Sequence, residues 1–348
     1  MKAWQLHAIG NLKLEEMTMP QAGEGEVLLK IKACGVCGSD IPRIYSKGTY
    51  SFPTVPGHEF SGEIAAVGEG VDPALIGRGA AVFPLLPCKN CDACQIGQYA
   101  FCSNYDYMGS RSDGAFAEYI AVPLWNVLFI PEGVSFEEAA MVEPAAVAIH
   151  ALRQANTAIG DEVLIFGAGP IGMILAQWAK ASGAAKVMLV DIDEEKLQFA
   201  NQLGISLTCN SKAVDALAWV KEQTDGHGAS VVIEGSGSSA AYEQAMHAAK
   251  VQGRVVLMGN PAGDMILTQQ GYWAIMRKSL TVVGTWNSNY ANWPMNEWKL
   301  VLQYLANGSL NLQPLITHRY ALEDLELGLH IMRDKSEFAM KVMFINED

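Results

Sequence analysis

The segment VLIFGAGPIGMILAQWAKASGAAKVMLVD constrains the fold of this 348-residue chain more than any other. An apolar run, Val163 to Phe166, leads into Gly167-Ala168-Gly169-Pro170-Ile171-Gly172. A helix-period stretch to about Ser182 follows, then a second apolar run ending at Asp191. Between a strand and a helix, the first glycine permits the turn and the second lets backbone approach a pyrophosphate. The third lets the helix pack on the strand, and the pyrophosphate rests on the helix N-terminus with Pro170 and Ile171 in its first turn. Asp191 lies where a carboxylate accepts the ribose hydroxyls of NAD and repels a 2′-phosphate. Its neighbours Ile192 and Asp193 offer no arginine for such a phosphate, so the expected cofactor is NAD. Asp191 also suits the N-cap of the next helix, a role compatible with the first.

More strand–helix units follow. ISLTCN, ASVVIEGSG, GRVVLMGN and LTVVGTW alternate with helices expected near residues 213–222, 239–249 and 268–277. With the first two strands this makes six, the number of a doubly wound parallel sheet, which the spacing places over residues 147–287. Ligands of such sheets bind beyond the carboxyl ends of the strands. Gly259 and Thr285 are therefore expected at the cofactor, and Lys196, on the helix after Asp191, is placed with them.

Residues 1–146 read differently. Val27, Leu29 and Ile31 alternate at period two in EVLLKIK, GEIAAVG is another short run, and Gly and Pro interrupt often up to residue 87. Alternation resumes over 114–131, so a compact β-rich barrel with long loops is expected. SFEEAAMVEPAAVAIHALRQA reads as a helix starting at Ser135. From about residue 288 the helix EWKLVLQYLANG and the strand KVMFIN are expected to return to this first domain.

Two sets of potential ligands lie in it. CGVCGSDIPRIYSKGTYSFPTVPGHE holds Cys37, Ser39, His58 and Glu59, the soft and borderline ligands plus hydroxyl of a catalytic zinc site. A lone Cys is commonly a small buried hydrophobe and a lone His a satisfied polar group; it is the constellation that points to metal. Gly57 would allow a tight backbone before His58. Glu143, in the apolar MVEPAA, is costly to bury without a counter-charge, and a nearby ion would remove that cost. Cys88, Cys91, Cys94 and Cys102 form C-x2-C-x2-C-x7-C, spaced to close a tetrahedral shell. Ferredoxin runs begin alike but end x3-C-P, whereas Ser103 follows here.

Composition excludes other classes. Half the residues are hydrophobic and 18% charged, which supports a sizeable core. The net charge of −13 with no basic stripe argues against nucleic acid or anionic membrane. Seven cysteines, with no export signal or transmembrane run in view, suit reduced thiols and a cytoplasmic location.

GVCGSD, GHE, the four-cysteine lobe and the G-x-G-x-x-G, in this order, resemble the zinc-dependent medium-chain dehydrogenases. Glu143-Pro144, where classical alcohol dehydrogenases have a cysteine, resembles their polyol branch. The resemblance implies an α/β chain with a GroES-like β-rich catalytic domain and a Rossmann domain. It implies two zinc ions per chain. One is catalytic, on Cys37, His58 and Glu143 with Glu59 as outer carboxylate or alternate ligand; the other is structural, on the four cysteines. It also implies NAD, a proton relay through Ser39, a small-molecule substrate and a homodimer or homotetramer. CGSDIPRIY, VFPLLPC, NYDYMGSRSDGAFAEY and GTWNSNYANWPMNEW point within the family to a phosphorylated sugar alcohol. A free polyol or L-threonine is the alternative substrate, and a non-catalytic NAD-binding protein the alternative from another class. Arg43 is the cation expected at the phosphate, ahead of Lys47 and Arg111, with Trp286 and Trp293 as pocket walls. IGRGAAV lacks the acidic residue usual in that turn, which touches loop geometry and not the ligand set.

Overall fold

The structure is a computed structural model that describes residues 1–261 and 263–346. It divides into two compact units, one formed by Met1–Glu143 with the segment from Asn289 onward, the other by Pro144–Ser288.

The first unit is built on a seven-stranded sheet. Its central strand, Glu26–Gly35, pairs antiparallel with Glu59–Val67 on one edge, and on the other with Tyr119–Pro123 along its first half and Lys341–Ile345 at its end. Val27, Leu29 and Ile31 are fully buried, as their alternation requires. Ala33 and Cys34 are buried too, and bulges at Leu28/Leu29 and Ile31/Ala33 twist the strand as it approaches Gly35. The C-terminal segment contributes two parallel strands, Ile316–Tyr320 and Lys341–Ile345, with Phe344 opposite Cys34. It also carries the helix Glu297–Ala306, whose Trp298, Val301, Leu302 and Leu305 are buried. The core gathers Leu29, Ile31, Ile44, Phe60, Phe116 and Phe344.

The stretch from Ser135 is two helices rather than the single one expected. Ser135 and Glu138 close a capping box on Phe136–Ala140, and a new helix, Val142–Gln154, starts after Met141. Pro144 explains the break. It stands in the first turn of the second helix, where its missing N–H is no loss, but it could not continue the first.

The second unit is a six-stranded, all-parallel sheet. In space the order is Leu207–Asn210, Lys186–Asp191, Glu162–Phe166, Ala229–Glu234, Ala249–Leu257, Thr281–Gly284, or 3-2-1-4-5-6 by chain order. This is the doubly wound dinucleotide fold. Its strands are apolar without alternation because helices cover both faces; Val163–Ile165 and Val231–Ile233 are fully buried. Side chains of Asp193, Asp215, Ser238 and Thr268 cap the helices that follow. Among the described residues no helix is long and apolar enough to cross a membrane.

Candidate active site

The pairing of the two central strands of the first unit creates the site. Gly35 stands opposite Glu59, so the end of one strand, running on to Cys37, meets the start of the other, preceded by His58. Gly57 makes the approach possible: its φ is +95°, and a Cβ there would lie 2.5 Å from the Phe116 ring. One sulfur of Cys37, one ring nitrogen of His58 and one carboxylate oxygen of Glu59 lie within 4.8 Å of one another.

Hydrogen bonds organise the loop around them. Ser39 Oγ donates to Cys37 Sγ at 3.2 Å and accepts from Arg43 at 3.0 Å. Asp40 is fully buried, accepts from the Cys37 N–H at 2.9 Å, and stands 3.3 Å from both Arg43 and His58 Nδ1. Burial opposes protonation of His58, but the Asp40 carboxylate outweighs it and holds the imidazole well above its usual range. Asp40 therefore supplies the negative charge that keeps a cation at His58 favourable.

The two glutamates differ in their partners. Glu59 accepts from the buried Lys341 at 2.5 Å. Glu143 is buried and accepts from the Tyr107 hydroxyl at 3.1 Å, and the Tyr107 ring meets His58 edge-on at 5.8 Å. Burial pushes Glu143 up to about 7; the Glu59 charge adds to this and His58 opposes it. Of the two carboxylates expected, Glu59, named as outer carboxylate or alternate ligand, is thus the one grouped with Cys37 and His58. Strand register puts Glu59 beside Cys37 and His58, while Tyr107 takes Glu143.

The second metal-type cluster is closed. Cys88, Cys91, Cys94 and Cys102 bring their sulfurs within 4.8 Å of one another. The Cys88 N–H donates to Cys102 Sγ at 3.2 Å. Backbone donors around Ser103 and Cys94 lower the Cys91 thiol to about 6, which suits a thiolate ligand. With four soft donors and no other polar group in the set, the cluster fits a tetrahedral zinc.

In the second unit the glycine turn has the features its spacing predicts. Gly167 has φ +105°, and a Cβ on Gly172 would lie 1.9 Å from the Gly167 carbonyl oxygen, so helix and strand touch there. At Gly169 a Cβ would meet nothing within 4 Å, which leaves room for a ligand at the N-terminus of Pro170–Ala181. Asp191 accepts from the N–H groups of Ala168 (2.5 Å), Ile192 (2.7 Å) and Asp193 (3.0 Å). It does not cap the next helix; Asp193 does, and Lys196 pairs with Asp193 at 3.6 Å. Gly259 is packed against Gly237, where a Cβ would lie 2.1 Å from its nitrogen. The Thr285 hydroxyl, at the carboxyl end of the sixth strand, is buried without a protein partner, and the room at Gly169 with this free hydroxyl fits a dinucleotide.

Of the substrate contacts expected, Arg43 is committed to Ser39 and Asp40, Lys47 is exposed, and Trp286 and Trp293 are 60% and 85% exposed. Asp40, Tyr107 and Lys341 escaped the sequence reading. Asp40 had a signal in GSD, and Lys341 had one as a charge opening an apolar strand; Tyr107 had none.

Known proteins resemble this chain over nearly its whole length. The sequence model of the alcohol dehydrogenase GroES-like domain matches residues 23–132, and that of the zinc-binding dehydrogenases residues 170–307. Galactitol 1-phosphate 5-dehydrogenase of Escherichia coli (strain K12) is 38% identical over 97% of this chain and 97% of its own. Sorbitol dehydrogenase of Bacillus subtilis (strain 168) is 32% identical over 99% of this chain and 96% of its own. A crystal structure of galactitol-1-phosphate dehydrogenase from Escherichia coli superposes with a TM-score of 0.93 at 36% identity, covering 99% of this chain and 100% of the other.

Proposed function

This chain belongs to the zinc-dependent medium-chain alcohol and polyol dehydrogenases, and from that membership we propose that it oxidises a secondary alcohol of a sugar-alcohol phosphate with NAD, galactitol 1-phosphate first among the candidates. Its cofactors are zinc and a nicotinamide dinucleotide. One solved relative holds NADH and another NADP; Asp191, with Ile192 and Asp193 beside it, favours NAD here. Two zinc ions per chain suit the two ligand clusters.

The observation that carries the reading is Ser39 bonded to Cys37 beside His58 and Glu59. When bound, zinc makes the alcohol proton easier to lose and the nicotinamide takes the hydride. Cys37 and His58 would hold the metal, with Glu59 beside them and Glu143 as the second buried carboxylate of the site. Ser39 Oγ would act as a relay, taking the alcohol proton as its own hydroxyl proton passes on to solvent, and the Arg43 bond fixes the orientation of that hydroxyl. Asp40 holds His58, and Lys341 offsets the buried charge of Glu59.

A free polyol is the second reading, favoured by the sorbitol dehydrogenase relative. NADH formation by zinc-loaded protein with galactitol 1-phosphate, galactitol, sorbitol and L-threonine, repeated with NADP, separates them. Turnover of the phosphate ester with NAD is the expected result. Turnover confined to free polyols or L-threonine discards the phosphate.

A further inference from the structure

Beside the four-cysteine lobe, the first unit has a cavity of about 490 Å³, lined among others by Tyr50, Cys88, Asn104, Tyr105, Asp106 and Arg111. This is ample for a hexitol-sized ligand. Arg111 is the cation in it. Its guanidinium lies over the Tyr50 ring at 4.0 Å and over the Tyr105 ring at 4.4 Å. Among the described residues no carboxylate pairs with it. Asp106 shares the cavity, but its carboxylate accepts the Tyr107 N–H at 2.7 Å. The Tyr105 and Tyr50 hydroxyls engage part of the guanidinium, and with five N–H donors and no acid partner it keeps others for a planar or tetrahedral oxyanion.

We propose that Arg111, and not Arg43, receives the phosphate of the substrate, a subsite that rests on the sugar-phosphate reading above. Arg43 is excluded by position. It donates to Ser39, which is bonded to Cys37, so a phosphate there would sit on the proton path and against the Asp40 carboxylate. In a 1-phosphate oxidised at carbon 5 the anion is at the far end of the carbon chain from the reacting hydroxyl, so it has to lie away from Ser39. Arg111 takes no part in the Ser39, Arg43 and Asp40 bonds, yet its turn is joined to the metal site. The Tyr107 carbonyl accepts the N–H groups of Ser110, Arg111 and Ser112, so one turn joins the cavity to the residue that holds Glu143. Tyr50 N–H donates to Ser110 O, tying the other wall to the same turn.

The test is steady-state kinetics of the zinc-loaded protein and its Arg111→Met, Arg111→Lys and Arg43→Met variants. Inorganic phosphate serves as competitor, and galactitol 1-phosphate is the substrate. Arg111→Met should raise KM roughly 10- to 100-fold with kcat nearly kept, and should abolish inhibition by phosphate. Arg111→Lys should recover part of both, and all variants should keep NADH affinity. Arg43→Met should lower kcat instead, as expected of a positioning residue. If wild-type protein turns over the ester and Arg111→Met leaves KM and phosphate inhibition unchanged, the subsite is wrong and the substrate reading stands. If wild-type protein does not turn over the ester, the substrate reading falls and the subsite falls with it.

Discussion

Cys37 sits between two kinds of neighbour, a backbone-anchored acid at Asp40 and a hydroxyl at Ser39, and their roles separate cleanly. Substituting Cys37 with serine removes the soft ligand and leaves the loop's hydrogen bonds possible. Metal analysis should then fall from two ions per chain to one, with NADH affinity unchanged because that site belongs to the other unit. Full metal content with full activity in Cys37→Ser would contradict the assignment. Glu143 gives a pH prediction for the zinc-free protein. Burial raises its carboxyl from 4.5 to about 7, so the folded chain binds this proton more tightly than the unfolded one. That contribution is fully present below the unfolded value and is lost as pH rises through about 7. His58, also raised, acts in the same direction. The melting temperature of zinc-free protein should therefore drop between about pH 5 and about pH 8, and Glu143→Gln should lessen the drop. An unchanged drop in that variant would remove Glu143 from the account.

The glycine turn shows how little room an element has. A methyl on Gly172 would fall 1.9 Å from the Gly167 carbonyl, so Gly172→Ala must lift the helix Pro170–Ala181 off its strand. A cost of about 1–3 kcal/mol is expected for such overpacking, read as a lower denaturation midpoint together with weaker NADH binding. The β/α units were legible in the sequence because parallel strands covered on both faces read as unbroken apolar runs, and the caps at Thr268 and Asp193 sit within a residue or two of the expected boundaries. The ligand cysteines and His58 were legible because their spacing is local. The pairing of Lys341 with Glu59 was not, since the two lie 282 positions apart and only the sheet order brings them together. Tyr107 and the cavity at Arg111 were hidden for the same reason: their neighbours come from loops whose paths carry no periodicity. The split at Met141 was missed because helix-forming residues continue across it, and only Pro144 marks the restart.

For the whole molecule, division of labour between the two clusters is the main consequence. The four thiols of Cys88, Cys91, Cys94 and Cys102 form a closed set, so a metal there contributes stability and not chemistry. Cys91→Ser should lose one ion per chain and lower the melting temperature, whereas Cys37→Ser should lose one ion and nearly all turnover. Comparable melting curves for Cys91→Ser and wild type would refute the structural role. The acidity of the chain, −13 overall, makes an anionic substrate depend on a local cation and predicts that KM for a phosphate ester rises with salt more than KM for a free polyol. The most direct test of the proposed activity follows the hydride itself. Galactitol 1-phosphate deuterated at carbon 5 is incubated with NAD and zinc-loaded protein, and the reduced nicotinamide is examined for deuterium. Deuterium on the nicotinamide ring, in equal amount to the ketone formed, is the predicted result. Ketone without labelled cofactor, or no ketone from a fully metallated enzyme, would contradict it.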